Sequence, residues 1–146
     1  MSTKIVLDAS VALAWFLPGH SEAQRSYANT VLDHIRRELL IIAVPALFAV
    51  EIGSVLLKAR RSDSISAADL ERAMKVNREL FIEFHHNLWE MEHVMALGIR
   101  YGLTGYDALY LDLAVNLELP LATIDEGMQA AATRHGVSLF KAEEGA

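Results

Sequence analysis

Residues 4–10 read "KIVLDAS". An apolar run, Ile5-Val6-Leu7, delivers the carboxylate of Asp8 and then passes directly into "SVALAWFL", residues 10–17. The first half predicts a short buried strand, and the second a helix stopped by Pro18-Gly19. A charge set between two apolar stretches is expensive to bury. Two roles are open to Asp8: capping the helix that follows it, or joining other acids around a cation.

The strand-then-helix alternation continues outward from this stretch. Ser21 and Gln24 have capping-box spacing and predict a helix to about Arg37. "LLIIAV", residues 39–44, reads as a second buried strand. Pro45 suits the first turn of the helix "ALFAVEIGSVLLKARR", whose cationic end complements the helix dipole. Ser66 and Asp69 open a further helix predicted to run through Phe84, with a weaker strand in "HHNLWE", residues 85–90.

"EHVMALGIRYG" reads as a helix closed by Gly102, and Thr104 with Asp107 opens "TGYDALYLDLAVNLE". "PLATI", "DEGMQAAATRHG" and "VSLF" then give strand, helix and strand, and the tail "KAEEGA" is expected to fray. Continuous apolar strands in this alternation predict a three-layer α/β/α sandwich around a parallel sheet of four to five strands. The length, 146 residues, fits one domain over residues 1–146. In such sheets ligands bind outside the carboxyl ends of the strands, where the strand order reverses.

Hydrophobic content of 53% with 22% charged residues belongs to a globular chain. With no cysteine, disulfides, zinc ribbons and thiol catalysis are excluded. Asp8 interrupts the first apolar stretch, "WFLPGH" offers no small-residue cleavage site, and no apolar run approaches a membrane span. A cytoplasmic protein is the expectation. The net charge of −6 argues against coating nucleic acid electrostatically, but not against acids concentrated in one pocket.

Four acids stand out. Asp8 and Asp125 each follow a predicted strand, and each also suits the start of a helix; for Asp125, Thr123 and Glu126 have capping-box spacing. Asp107 is placed to complete a box with Thr104. Glu51 is different: it lies mid-helix among Leu47, Phe48, Val50, Ile52 and Val55, with Lys58 two turns away. A helix so apolar reads as buried, and a lone buried carboxylate needs a partner. Caps account for three of the acids. A hard divalent cation with oxygen ligands accounts for all four.

"IVLDAS", "PALFAVEIGSVL", "LTGYDALYLDLA" and "LATIDEGM" together resemble the PIN-domain ribonucleases, most closely the VapC-type toxins of toxin–antitoxin pairs. The resemblance spans Lys4 to Met128. It implies a Rossmann-like parallel sheet, and an endoribonuclease whose Mg²⁺ or Mn²⁺ is held by Asp8, Glu51, Asp107 and Asp125. Ser10 and Thr123 match the family's supporting hydroxyls. The resemblance also implies a homodimer and a small cognate antitoxin whose basic C-terminal segment approaches the acids. After "LATID" the family usually carries a basic residue and a leucine, where this chain has "EGM".

Lys58, Arg60 and Arg61 are candidates for the RNA backbone, and equally plain helix-terminal cations. His85, His86, Glu90 and His93 lack zinc-site spacing. Trp15, Phe16, Tyr106 and Tyr110 read as packing residues. Two rivals remain at this level. A haloacid-dehalogenase-type phosphohydrolase would use Asp8 as nucleophile, but its second acid two residues on is replaced by Ser10. A non-enzymatic PIN-like interaction module would have no reason to keep Glu51.

Overall fold

Ile5, Val6 and Leu7 are all fully buried, so neither face of the first strand meets water, as a sheet covered on both sides requires. The computed structural model describes residues 3–37, 39–87 and 89–141. Their element order is β1 (Thr3–Leu7), α1 (Ala9–Phe16), α2 (Glu22–Arg36), β2 (Leu40–Pro45), α3 (Leu47–Arg61), α4 (Ala67–Arg78), β3 (Ile82–His85), α5 (Met91–Tyr101), α6 (Gly105–Leu117), β4 (Leu121–Ala122) and α7 (Glu126–Arg134).

The four strands form one sheet in the order β3-β2-β1-β4, and every pair is parallel. Ile5 stands opposite Ile42, Ile42 opposite Ile82, and Val6 opposite Leu121. The chain steps from β1 outward to β3, then returns to place β4 on the other side of β1. Right-handed crossovers therefore put the first connections on one face and the return on the other. The packing agrees: α1 contacts α2, α3 and α4, while α6 contacts α5, α7 and the strands β1 and β2. The reversal lies between β1 and β4, and the crevice at their carboxyl ends is where a ligand belongs.

Local chemistry sets the helix ends. Both halves of the capping boxes at Ser21–Gln24 and Ser66–Asp69 form. Gly102 ends α5 at φ 66°, a left-handed conformation that costs glycine little.

Four expectations need correction. The helix opened by Ser66 stops at Arg78, not Phe84, and β3 takes Ile82–His85. Of the strand read in "HHNLWE" only His85 is extended, and Leu88 lies outside the described residues. Phe81, Ile82 and Phe84 suit either period, and the free edge of β2 decided the matter by pairing with them. Pro45 closes β2 and does not open α3. "VSLF" contributes a single rung, Leu139 against Leu121, because β4 has only two residues to offer. Of the tail, all but Lys141 lies outside the described residues.

Candidate active site

Asp8 occupies the N-cap position of α1, yet its side chain makes no capping bond. It is 3% exposed. Its Oδ2 instead accepts two hydroxyls, Ser10 Oγ at 2.6 Å and Thr123 Oγ1 at 2.8 Å. Each hydroxyl is fixed from behind by a backbone N–H: Ile124 donates to Ser10 Oγ at 3.2 Å, and Asp125 donates to Thr123 Oγ1 at 3.1 Å. A hydroxyl that accepts from an N–H turns its own proton away from it, here onto Asp8. The bond from Asp8 N–H to the Ala122 carbonyl, 2.9 Å, seals the β1–β4 seam beneath this clamp.

Asp125 is exposed and caps α7, its Oδ1 accepting from Met128 N–H at 2.8 Å. It takes the place expected for Thr123, whose hydroxyl is committed to Asp8. At α6 only half a box forms: Asp107 N–H donates to Thr104 Oγ1 at 3.3 Å. Glu51 is half-buried on α3. That helix buries only Phe48, Ile52 and Leu56, and leaves Val50 and Leu57 exposed, so it is not the buried helix its sequence suggested. Glu51 also has a partner within the chain: Tyr110 Oη donates to its Oε1 at 2.9 Å.

The acids act on one another. Burial pushes the Asp8 carboxyl up from 3.8; its two hydroxyl bonds oppose this, and the charges of Asp107 and Asp125 add to the rise. Glu51 is raised by burial, against the Tyr110 bond, with Asp8 and Asp107 adding repulsion. Asp107 is raised by burial and then by Asp125. No lysine, arginine or histidine is among the charges acting on these three. Neighbouring carboxylates resist ionising together.

The donor chemistry, carboxylates backed by hydroxyls, fits a hard divalent ion. As the side chains stand, no three acids or histidines among the described residues are grouped to hold a metal.

Lys58, Arg60 and Arg61 end α3, two to three turns and roughly 10–15 Å along the axis from Glu51. They do not enter the site, and Arg60 pairs with Asp63 at 3.1 Å. His85 pairs with Glu83, which also binds Lys4. Sequence reasoning passed over Tyr110 as a packing residue. Its position three residues after Asp107 on one helix was the available signal.

A PIN domain family profile matches residues 5–134. The chain is 34% identical over 121 residues to VapC ribonuclease Mb0985 of Mycobacterium bovis, covering 83% of this chain and 85% of that one. It is 35% identical over 88 residues to Ribonuclease VapC1 of Mycobacterium tuberculosis, covering 60% and 65%. Among solved structures it is similar to PAE2754 from Pyrobaculum aerophilum, with a TM-score of 0.60 at 26% identity over 90% and 87% of the two chains. A parallel sheet in this order and a profile match over nearly the whole length converge: the chain belongs to the PIN domain family.

Proposed function

We propose that this chain, as one PIN-like domain over residues 1–146, is a metal-dependent endoribonuclease and the toxin of a toxin–antitoxin pair. The observation that carries the reading is the buried, doubly clamped Asp8, repelled by Asp107 and Asp125 with no cation among the described residues acting on it. The similarity to VapC ribonucleases supplies the substrate class.

Asp8 and Asp107 would hold Mg²⁺ or Mn²⁺ directly, with Asp125 and Glu51 acting through water or orienting it. When bound, such an ion makes water more acidic and offsets negative charge on the phosphoryl oxygens. In hydrolysis a water oxygen bonds to phosphorus and loses a proton, one ester P–O bond breaks, and the leaving oxygen takes up a proton. The protein's own contribution is orientation: Ser10 and Thr123 fix one oxygen of Asp8, and the α7 N–H of Met128 fixes Asp125. Lys58 and Arg61, with Arg60 partly committed to Asp63, would meet the RNA backbone.

The test is cleavage of total RNA by the purified chain. Activity with Mg²⁺ or Mn²⁺ and none in excess EDTA is expected. Undiminished cleavage in EDTA would exclude the mechanism.

The proposed partners follow from surface chemistry. A groove of about 320 Å³ between α1, α3 and α4, lined by Trp15, Phe16, Phe48, Ile52 and Leu56, suits an amphipathic antitoxin helix. A following basic side chain, best an arginine, would answer the acids. Most of "SVALAWFL" is buried and offers little apolar surface to a second copy. Homodimerisation is therefore assigned to the exposed Val50 of α3 with Met91, Met95 and Ile99 of α5. Light scattering should give a dimeric mass for the chain alone, and a larger complex on co-expression with a small reading frame found adjoining its gene. A monomeric mass in both would remove these assignments. Among the described residues no helix is long and apolar enough to cross a membrane, and action on cytoplasmic RNA is part of the proposal.

A further inference from the structure

Asp8 is held by two hydroxyls and Asp125 by a helix N–H, while Asp107 stands in the first turn of α6. Glu51 has the longest side chain of the four and sits on a helix only partly covered, so nothing in α3 stops it turning to solvent. The one bond that reaches it crosses from another element. Tyr110 is completely buried, and its hydroxyl donates to Glu51 Oε1 at 2.9 Å across a sequence separation of 59 residues.

We infer that Tyr110 is a positioning residue: its hydroxyl holds the Glu51 carboxylate toward Asp8 and Asp107 and so completes the acid set. A buried tyrosine needs a partner for its hydroxyl, and any backbone carbonyl would serve that purpose. Here the partner is an acid of the site. Because Tyr110 lies one turn after Asp107 on α6, the same rigid helix delivers both an acid and the group that aims another acid. Burial, then the charge of Glu51 and its hydrogen bond, with further repulsion from Asp8 and Asp107, push the phenol up, so it remains a donor.

The inference rests on the metal reading for its consequence, but not for its geometry, and the test separates the two. Tyr110→Phe removes one oxygen and leaves the ring packing in place. Mn²⁺ binding is titrated calorimetrically in wild type, Tyr110→Phe, Glu51→Gln and the double variant. Tyr110→Phe should bind about tenfold more weakly, the usual effect of losing a group that orients a ligand. On the Glu51→Gln background the same change should alter binding by less than about twofold, because the two residues act as one unit. In parallel, NMR couplings of the Glu51 side chain are measured without metal. They should report one rotamer in wild type and averaging in Tyr110→Phe.

Unchanged Mn²⁺ affinity in Tyr110→Phe, or an equal loss on both backgrounds, would overturn the inference. So would a single Glu51 rotamer that persists without the hydroxyl. A wild type that takes up no Mn²⁺ would refute the metal reading alone, and the NMR result would then decide the positioning role by itself.

Discussion

Asp8→Asn should lower RNA cleavage at least about a hundredfold, at the upper end for loss of a metal-site group, while the protein stays folded. The substitution keeps an oxygen that can accept both Ser10 and Thr123, so the clamp at the β1–β4 seam survives. What it removes is the charge. A buried carboxylate pushed up by desolvation and by two neighbouring acids opposes folding when ionised. Without metal, Asp8→Asn should therefore melt at a higher temperature than wild type even as it loses activity. Circular dichroism melts beside a gel-based cleavage assay give both numbers. Wild-type cleavage by the variant would remove Asp8 from the chemistry, and a collapse of the fold would mean the clamp depends on the charge.

The second large effect links pH, metal and stability. Asp8, Glu51 and Asp107 are all raised in the folded state. Between their ordinary values, 3.8 and 4.5, and the higher folded ones, the native state holds more protons than the unfolded state. Stability then falls as pH rises through that window, and above it the penalty is complete. The metal-free protein should accordingly be more stable at about pH 5 than at about pH 7.5. Asp69 and Glu83 are lowered and pull the other way, but they lie at the surface and act only near and below their ordinary values, so they leave the sign intact.

Saturating Mn²⁺ should reverse the order. A ligand at a hundred times its dissociation constant adds about 2.7 kcal/mol, and it needs the acids ionised, so the gain belongs to the higher pH. Melts at both pH values with and without Mn²⁺ test this. A metal-free protein that gains stability with rising pH would contradict the assigned burial. A protein indifferent to Mn²⁺ at the higher pH would contradict the cation site.

Much of this architecture was legible because local and global preferences agree along most of the chain. Ile5-Val6-Leu7 and "LLIIAV" admit no reading but buried strands, and Ser21–Gln24 and Ser66–Asp69 announce their helices through reciprocal bonds that need no tertiary help. Residues 79–84 were misread because their apolar spacing fits helix and strand alike, and only the open edge of β2 selects between them. The site was legible as a set of residue types, not as a set of contacts. Asp8 looked equally like a cap, and the hydroxyl that distinguishes the cases comes from Thr123. Glu51 looked unpartnered because its donor lies on α6. No local pattern encodes either pairing.

The bond from Thr123 to Asp8 spans 115 residues, and that distance has a meaning in time. During synthesis Asp8 leaves the ribosome well before Thr123 and Asp125, which follow only after six helices have been made. Until β4 docks beside β1, Asp8 lacks one of its two hydroxyl donors and the crevice has only one wall. Closing so long a loop is also among the slow steps of folding. A nascent chain short of residue 125 therefore carries three of the four acids but no assembled site. If the chain acts as the proposed ribonuclease, its site would stay incomplete while the chain is still tethered to the ribosome.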